Sequence, residues 1–440
     1  MPRNYVGLEE KLSRMVSIPT VAGGPYEIAR YRQTLRELFP HLFRQAEEIP
    51  VGEALLLKLE GAQKEEKPVL FSGHMDVVAA PPEGWEHPPF SGEIVNGEVW
   101  GRGSLDMKGA QCALLAALDA LLEGSWRPQR TVYLYLSCDE EIGGPTTARA
   151  AAWLESHGVR LEAVFDEGGT VGENFWGKIP GRAVLVAVAE KGSLEYRFTA
   201  RADGGHAANP PKHSAIVQLS RLAADLEDHS ASLFRRGLAP QAEQMLREMA
   251  RWFPQEDRDR LLEALDHPEN DYEALQRVLP EQAPFLLGAT IAFTMVQGGT
   301  AFNVMPKEAV LTANVRPSTV QGEREITELL CRKAAEYGVT CELVGGSDAS
   351  PFSSSDSAAY RAIADTAREI FGAETPVIPF VLVGGTDSKH FLPVAGQAIR
   401  FSPIFIGEKQ GGVHGVNEYI TVDSLRTAAQ FYEVLFEKRI

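Results

Sequence analysis

Two domains, one inserted into the other, are expected from this chain: an α/β domain on a mixed sheet, and an α+β domain of ferredoxin-like order within it. Three observations predict them. The chain has 440 residues, long for a single hydrophobic core. Short apolar runs alternate with helical patterns over residues 1–190 and again over 351–440, which indicates a parallel or mixed sheet covered on both faces. Between them, residues 191–350 change to half-exposed strands and amphipathic helices, with an extra charged segment at 229–283.

Taken in order, residues 7–19 read as a helix with Leu8, Leu12, Met15 and Val16 on its apolar face, ended by Pro19. A second helix runs through Ile28 to Leu38. Glu53 to Leu59 and Pro68 to Phe71 read as neighbouring strands, followed by a strongly apolar helix, Ala110 to Leu122. Arg130 to Ser137 is the next buried strand, Thr146 to His157 a helix, and Glu162 to Phe165 a short strand. In the inserted part, Leu194 to Ala200 alternates as a half-exposed strand does, and Ser214 to Asp228 is an amphipathic helix. Gln241 to Val278 reads as further helices. Strands at Ala289 to Val296 and Ala309 to Val315, a helix at Arg324 to Tyr337 and a strand at Thr340 to Val344 complete a β-α-β-β-α-β order. The first pattern then returns with a helix at Ala358 to Phe371, a strand at Val377 to Leu382 and a last helix at Ser424 to Phe436.

Composition narrows the partners. With 44% hydrophobic and 23% charged residues, the chain has an ordinary globular make-up. A formal net charge of -17 argues against nucleic acid and anionic membrane surfaces. Four cysteines without C-x-x-C spacing suit a reduced interior. The first residues have no apolar core of signal-peptide type, and no stretch reaches the roughly 18 apolar residues of a membrane span. The cytoplasm is the expected compartment.

Chemistry-bearing residues gather at predicted strand ends. His74 closes the Val69 to Gly73 run, with Asp76 two residues on, where α/β sheets bind ligands. Asp106 lies in the glycine-rich turn Gly101-Arg102-Gly103-Ser104-Leu105-Asp106 ahead of a helix. Singly, a His or Asp beside a turn is more often a capping residue. The Arg130 to Ser137 strand, however, runs straight into Asp139, Glu140 and Glu141, three carboxylates that repel one another without a cation. Asp166 and Glu167 repeat the design after the next strand, and His414 sits in another glycine-bounded turn. Two imidazoles with several carboxylates suit catalytic zinc, and a shared Asp would suit a two-metal arrangement. Ser104 lacks the G-x-S-x-G elbow, and no glycine-rich turn has the Walker lysine arrangement.

The strings HMDVV, GRGSLDMKG, DEEIGG, FDEGG, GGHAANPP, AFNVMP, NVRPS, GGTDSKHF and HGVNEYI resemble, in order, the zinc aminoacylase/carboxypeptidase family. They cover roughly residues 8–436, and HPPFSGEIVNGEVWGRGSLDMKG and DEGGTV are most similar to carboxypeptidase S and the N-fatty-acyl-amino-acid hydrolases. The resemblance implies a zinc-exopeptidase-like catalytic domain with an inserted lid and dimerisation domain, two zinc ions per subunit (cobalt or manganese as substitutes), and a homodimer. It implies metal ligands at His74, Asp106 (bridging), Glu141, Asp166 and His414, with Glu167 the alternative to Asp166. Glu140 would be the general base, Asp76 would orient His74, and His206 would stabilise the oxyanion, in dimeric members from the other subunit. Asn303, Arg316, Gly385 and Thr386 would hold the substrate and its free carboxylate.

The expected activity is hydrolysis of an amide or peptide bond to an amino acid with a free carboxylate. Carboxypeptidase or dipeptidase action and N-acyl-amino-acid deacylation remain as two forms of it. A non-catalytic binding protein on the same fold is the rival, but no motif residue is missing.

Overall fold

Val69–His74 forms a strand buried along its whole length, as an unbroken apolar run requires when both sheet faces are covered. Leu70 lies on one face with Tyr133, Tyr135 and Val164, packed against Ala150 and Leu154 of the helix Thr146–Ser156. Phe71 points the other way, stacking on Phe165 at 4.9 Å between centroids and meeting Phe436 at 4.8 Å. Strand parity thus sorts adjacent apolar residues into two cores.

The computed structural model describes residues 3–266, 272–407 and 412–440. The chain divides into two units, Met1–Val188 with Ser353–Phe380 and Thr386–Ile440, and Ala189–Phe352 with Val381–Gly385.

Among the described residues, the sheet containing Val69–His74 has nine strands. Their order is Glu47–Val51, Ala54–Leu59, Val132–Ser137, Val69–His74, Ala163–Asp166, Ala398–Arg400, Arg182–Glu190 and Val377–Leu382, with Thr170–Glu173 beside Arg182–Glu190. Its centre is parallel and its flanks antiparallel, a mixed sheet as expected. The Glu53 to Leu59 and Pro68 to Phe71 runs are not neighbours: Val132–Ser137 lies between them, pairing antiparallel with one and parallel with the other. Arg182–Glu190 is a further strand that periodicity does not reveal: its apolar run lacks alternation because all but its first residue is buried.

The helix Lys108–Glu123 is buried on nearly every side and packs against Leu8–Val16, Pro40–Gln45 and the last helix, Val422–Lys438. Gln111 on it donates to the His74 carbonyl at 3.1 Å, fixing the strand end against the helix. A small three-stranded sheet, Tyr419–Thr421, Glu98–Trp100 and Ile94–Val95, pairs Tyr419 with Trp100. That pairing ties the chain after His414 to the chain before Asp106.

In the second unit, four antiparallel strands lie in the order Val339–Ser347, Ser193–Arg201, Glu308–Arg316, Thr290–Gly298. By chain position this is 4-1-3-2, the ferredoxin-like order the sequence predicts. Leu219, Leu222 and Leu226 from Ala215–Leu233 and Ile326 and Leu330 from Glu323–Glu336 close its core over Tyr196 and Phe198. The extra segment contains helices Pro240–Ala250, Gln255–Asp266, Tyr272–Val278 and Ala283–Leu287; residues 267–271 of the helical stretch expected at Gln241 to Val278 lie outside the described residues. Among the described residues, no helix is long and apolar enough to cross a membrane.

Candidate metal centre

Five segments of the first unit, a strand end and four turns, bring His74, Asp106, Glu141, Glu167 and His414 together. His74 Nε2 lies 3.0 Å from Asp106 Oδ1 and 3.3 Å from Glu167 Oε1. His414 Nε2 lies 3.2 Å from Asp106 Oδ2 and 3.0 Å from Glu141 Oε2. Two groups of candidate ligands result, His74–Asp106–Glu167 and Asp106–Glu141–His414, with the ligand atoms of each within 4.8 Å of one another. Asp106 belongs to both and turns one oxygen to each imidazole.

The structure corrects the Asp166 expectation. Asp166 ends its strand on the Val164 side, where Oδ2 accepts from the Ser388 backbone N–H at 2.7 Å and Oδ1 from that of Glu167 at 3.0 Å. Glu167, of opposite parity, faces His74. Sequence could not choose between two adjacent acids, because the choice is the register of one strand end.

Electrostatics at the centre are those of too many anions. Burial pushes Glu140 up to about 8, with Asp387, Asp106 and Glu141 adding repulsion. Burial, with Asp106 adding, also raises Glu141 and, strongly, Glu167. Burial would raise Asp106, but hydrogen bonds from His414 and His74 hold it far below the carboxylate range. Glu141 Oε1 is buried without a hydrogen-bond partner among the described residues. Carboxylates crowded this way, with imidazole nitrogens facing the same points, fit divalent cations of the zinc type.

The surrounding residues explain how the turns are held. Asp76, fully buried, meets His74 Nδ1 with its backbone carbonyl at 2.9 Å, and its carboxylate stands 3.7 Å from the same nitrogen. The carboxylate also accepts from the backbone N–H groups of Glu140 at 3.3 Å and Glu141 at 3.0 Å, fixing the acidic turn beside His74. At Gly73 a Cβ would fall 2.8 Å from the end of the Met107 side chain, which would have to shift to admit it. His414 has a φ of 64°, a left-handed conformation that costs an L-residue roughly 1–2 kcal/mol. Arg102 holds it by donating to the His414 and Gly415 carbonyls, each at 3.0 Å. The same guanidinium pairs with buried Glu418 at 2.5 Å, and Glu418 accepts from the Leu105 backbone N–H at 2.7 Å. Arg102 and Glu418 thus join the His414 turn to the Asp106 turn. Lys108, lowered to about 7 by burial, donates to the Met15 and Ile18 carbonyls at 3.2 and 2.8 Å. In the sequence, Arg102, Lys108 and Glu418 are marked only by being charged residues inside the GRGSLDMKG and HGVNEYI strings.

The expected substrate residues fall in different places. Thr386 is buried in the first unit, its hydroxyl 2.6 Å from that of Ser388, so its side chain is taken up in structure. Gly385 is half-buried and belongs to the second unit. In that unit Gly205–His206 pairs with Val304–Met305, and the Asn303 carbonyl accepts from the Ala207 backbone N–H at 3.0 Å. His206 is exposed; its Nδ1 accepts from the Ala208 backbone N–H at 3.1 Å, so in the neutral ring Nε2 carries the proton. Arg316 is half-buried, its Nε donating to Asn314 Oδ1 at 2.9 Å, with no carboxylate partner among the described residues. Asn303 and Arg316 are not brought together. Thr290 pairs with Arg316 and Gly298 with Ala309, and Asn303 lies beyond the Gly298 end, so a whole strand of roughly 25 Å separates them.

Residues 70–438 match the family described as peptidase family M20/M25/M40. The chain is 31% identical over 442 residues to an N-fatty-acyl-amino acid synthase/hydrolase of Mus musculus, covering 97% of this chain and 86% of that one. It is 30% identical over 423 residues to a probable carboxypeptidase S-like protein of Dictyostelium discoideum, covering 93% and 80%. A metallo-carboxypeptidase from Sulfolobus solfataricus has a similar fold, with a TM-score of 0.71 at 19% identity over 97% of this chain and 98% of that one. Human carnosine dipeptidase 1 matches with a TM-score of 0.67 at 15% identity, over 98% and 97%.

Proposed function

This chain belongs to peptidase family M20/M25/M40 and is a metal-dependent hydrolase of amide bonds, and on that footing we propose that it binds two zinc ions and releases an amino acid from an N-acyl amino acid or peptide. The observation that carries the two-ion reading is Asp106, common to both groups of candidate ligands. His74 and Glu167 would hold one ion, Glu141 and His414 the other, and Asp106 both. When bound, such ions lower the pKa of water and polarise the scissile carbonyl.

The chain's own residues supply the rest. Glu140 takes the proton of the attacking water and delivers it to the leaving amine. Its turn is fixed by the Asp76 carboxylate, so the base has a defined position. His206, protonated on Nε2, donates a hydrogen bond to the developing oxyanion. Arg316, free of any acidic partner among the described residues, takes the substrate's carboxylate in a bidentate contact. The separation of Asn303 and Arg316 supports a dimer: one small substrate meets both only if two copies each contribute one end. The strand Thr290–Gly298 is an edge with Val296 74% and Met295 56% exposed, a surface open to pairing with a second chain. A reducing cytoplasm suits the four free thiols.

Metal analysis of wild-type and Glu140→Ala protein tests the reading. Both should bind the same zinc, while hydrolysis of N-acyl amino acids and dipeptides collapses by about a thousandfold or more in the variant. Retained hydrolysis would remove Glu140 from the role of base.

A further inference from the structure

Residues 78–93 of the first unit form neither helix nor strand, a connection longer than most inside a compact domain. Two proline pairs, Pro81-Pro82 and Pro88-Pro89, stiffen the stretch between them. None of residues 81–88 is buried, and only Trp85 and His87 are half-buried, so the stretch adds little to the core. Three successive residues nevertheless make specific contacts. The Arg102 guanidinium lies against the Trp85 ring, 5.4 Å from its centroid. The Glu86 backbone N–H donates to Asn417 Oδ1 at 2.8 Å, and Asn417 Nδ2 donates in return to Glu86 Oε1 at 3.4 Å. The His87 ring meets Trp100 at 4.5 Å between centroids, and Trp100 stacks on Tyr419 at 4.6 Å. The Pro89 carbonyl then accepts from the Arg102 backbone N–H at 2.8 Å. All of these contacts land on residues 100–102 or 417–419, the segments that lead into the Asp106 turn and out of the His414 turn.

The His414 turn is the one that needs outside support. His74 ends a strand buried along its whole length, whereas residues 412–418 belong to no strand or helix. The His414 side chain is 49% exposed against 1% for His74. His414 and Asn417 both take a left-handed φ, 64° and 60°, a conformation that a free turn seldom keeps. A ligand not held beforehand must be ordered when the ion binds, and affinity falls accordingly.

We propose that Trp85 is a positioning residue for His414, acting through Arg102, and that Trp85–His87 is a strap that holds the His414 turn in its metal-binding geometry from the exposed side. This rests on the two-ion reading above and assigns the strap to one ion, the one offered Asp106, Glu141 and His414. The Trp85 ring covers a guanidinium whose nitrogens serve Glu418 and the His414 and Gly415 carbonyls. Removing the ring admits water to those contacts and weakens them. His74 is held separately, by Gln111 and the Asp76 carbonyl.

The test is zinc titration of the metal-free protein against a competing chelator, with its Tm measured alongside. The wild type should show two binding steps, and His414→Ala identifies the one that depends on His414. Trp85→Ala should weaken that step by about tenfold or more and leave the other within about twofold. Trp85→Phe, which keeps an aromatic face over the guanidinium, should recover most of the loss. Asn417→Gly keeps the left-handed φ and deletes the carboxamide, so it should weaken the same step by about fivefold. That variant carries the test if Trp85→Ala does not fold. A merely structural role would lower Tm and weaken both steps together, or leave both unchanged, and either pattern overturns the strap. A wild type with a single zinc step overturns the two-ion reading and the strap with it. Two wild-type steps that Trp85→Ala and Asn417→Gly fail to separate overturn the strap alone.

Discussion

Replacing Arg102 by Met tests the claim that one buried ion pair assembles the metal centre. Arg102 is 4% and Glu418 0% exposed, and their 2.5 Å contact joins the His414 and Asp106 turns. The substitution keeps the length of the aliphatic stem, removes the charge, and strands the Glu418 carboxylate. Breaking a buried pair by deleting one partner costs about 3–5 kcal/mol. Burial already raises the Glu418 carboxyl, so protonation relieves part of the penalty and favours the lower end. Two donations to the His414 and Gly415 carbonyls vanish as well, releasing a residue whose φ of 64° has a strain of its own. By calorimetry of the metal-free protein, Tm should fall roughly 6–10 °C, at about 2 °C per kcal/mol for a unit of this size. Zinc affinity should weaken too, since His414 and Asp106 are no longer held in register. Arg102→Lys should lie between, because an ammonium keeps the charge but cannot match the guanidinium's fork. A Tm within 1 °C of wild type, with zinc affinity retained, would refute the role assigned to the pair.

Three further outcomes follow. Glu167→Ala should lower the zinc bound per chain without destabilising the metal-free protein, while Asp166→Ala should keep its zinc and lose about 1–3 kcal/mol through the stranded Ser388 N–H; the reverse pattern would restore Asp166 as ligand. Burial, with Arg316 adding, lowers Lys191 to about 8, where its amine donates to the Phe285 and Gly288 carbonyls, each at 2.9 Å. Between about pH 8 and 10.5 the unfolded chain holds the Lys191 proton and the folded chain does not, so this group's contribution to stability rises with pH. The Tm difference between wild type and Lys191→Met should therefore grow across that window; a constant difference would refute the assignment. Finally, mixing inactive His206→Ala and Glu140→Ala proteins under conditions of subunit exchange should restore activity through mixed dimers, and none recovered would place His206 in its own subunit's site.

The sequence showed much of this site because each participating turn ends an apolar run, and periodicity locates such ends. His74 after Val69 to Gly73, and Glu140 and Glu141 after Arg130 to Ser137, are legible on that ground alone. Less legible were choices that depend on direction. Asp166 and Glu167 are adjacent and chemically alike, and strand parity sends one to the Ser388 backbone and the other to His74. Asp76 faces His74 with its backbone carbonyl as well as its side chain, and its carboxylate also holds the next turn, a second task that residue type alone does not announce. Arg102 and Glu418 lie 316 residues apart, and nothing local in either marks the other as partner.

By itself, the sequence determined most of the longer helices and strands, the ferredoxin-like order of the second unit and the inventory of acids and imidazoles. These follow from periodicity and from which residue stands beside which along the chain. Tertiary structure alone decided strand adjacency, as where Val132–Ser137 lies between the two strands expected to be neighbours. It alone chose Glu167 over Asp166 and set Asn303 and Arg316 at opposite ends of a strand. The physical reason is common to all three: backbone pairing fixes register, and register, more than residue identity, decides where a side chain points and what it can reach.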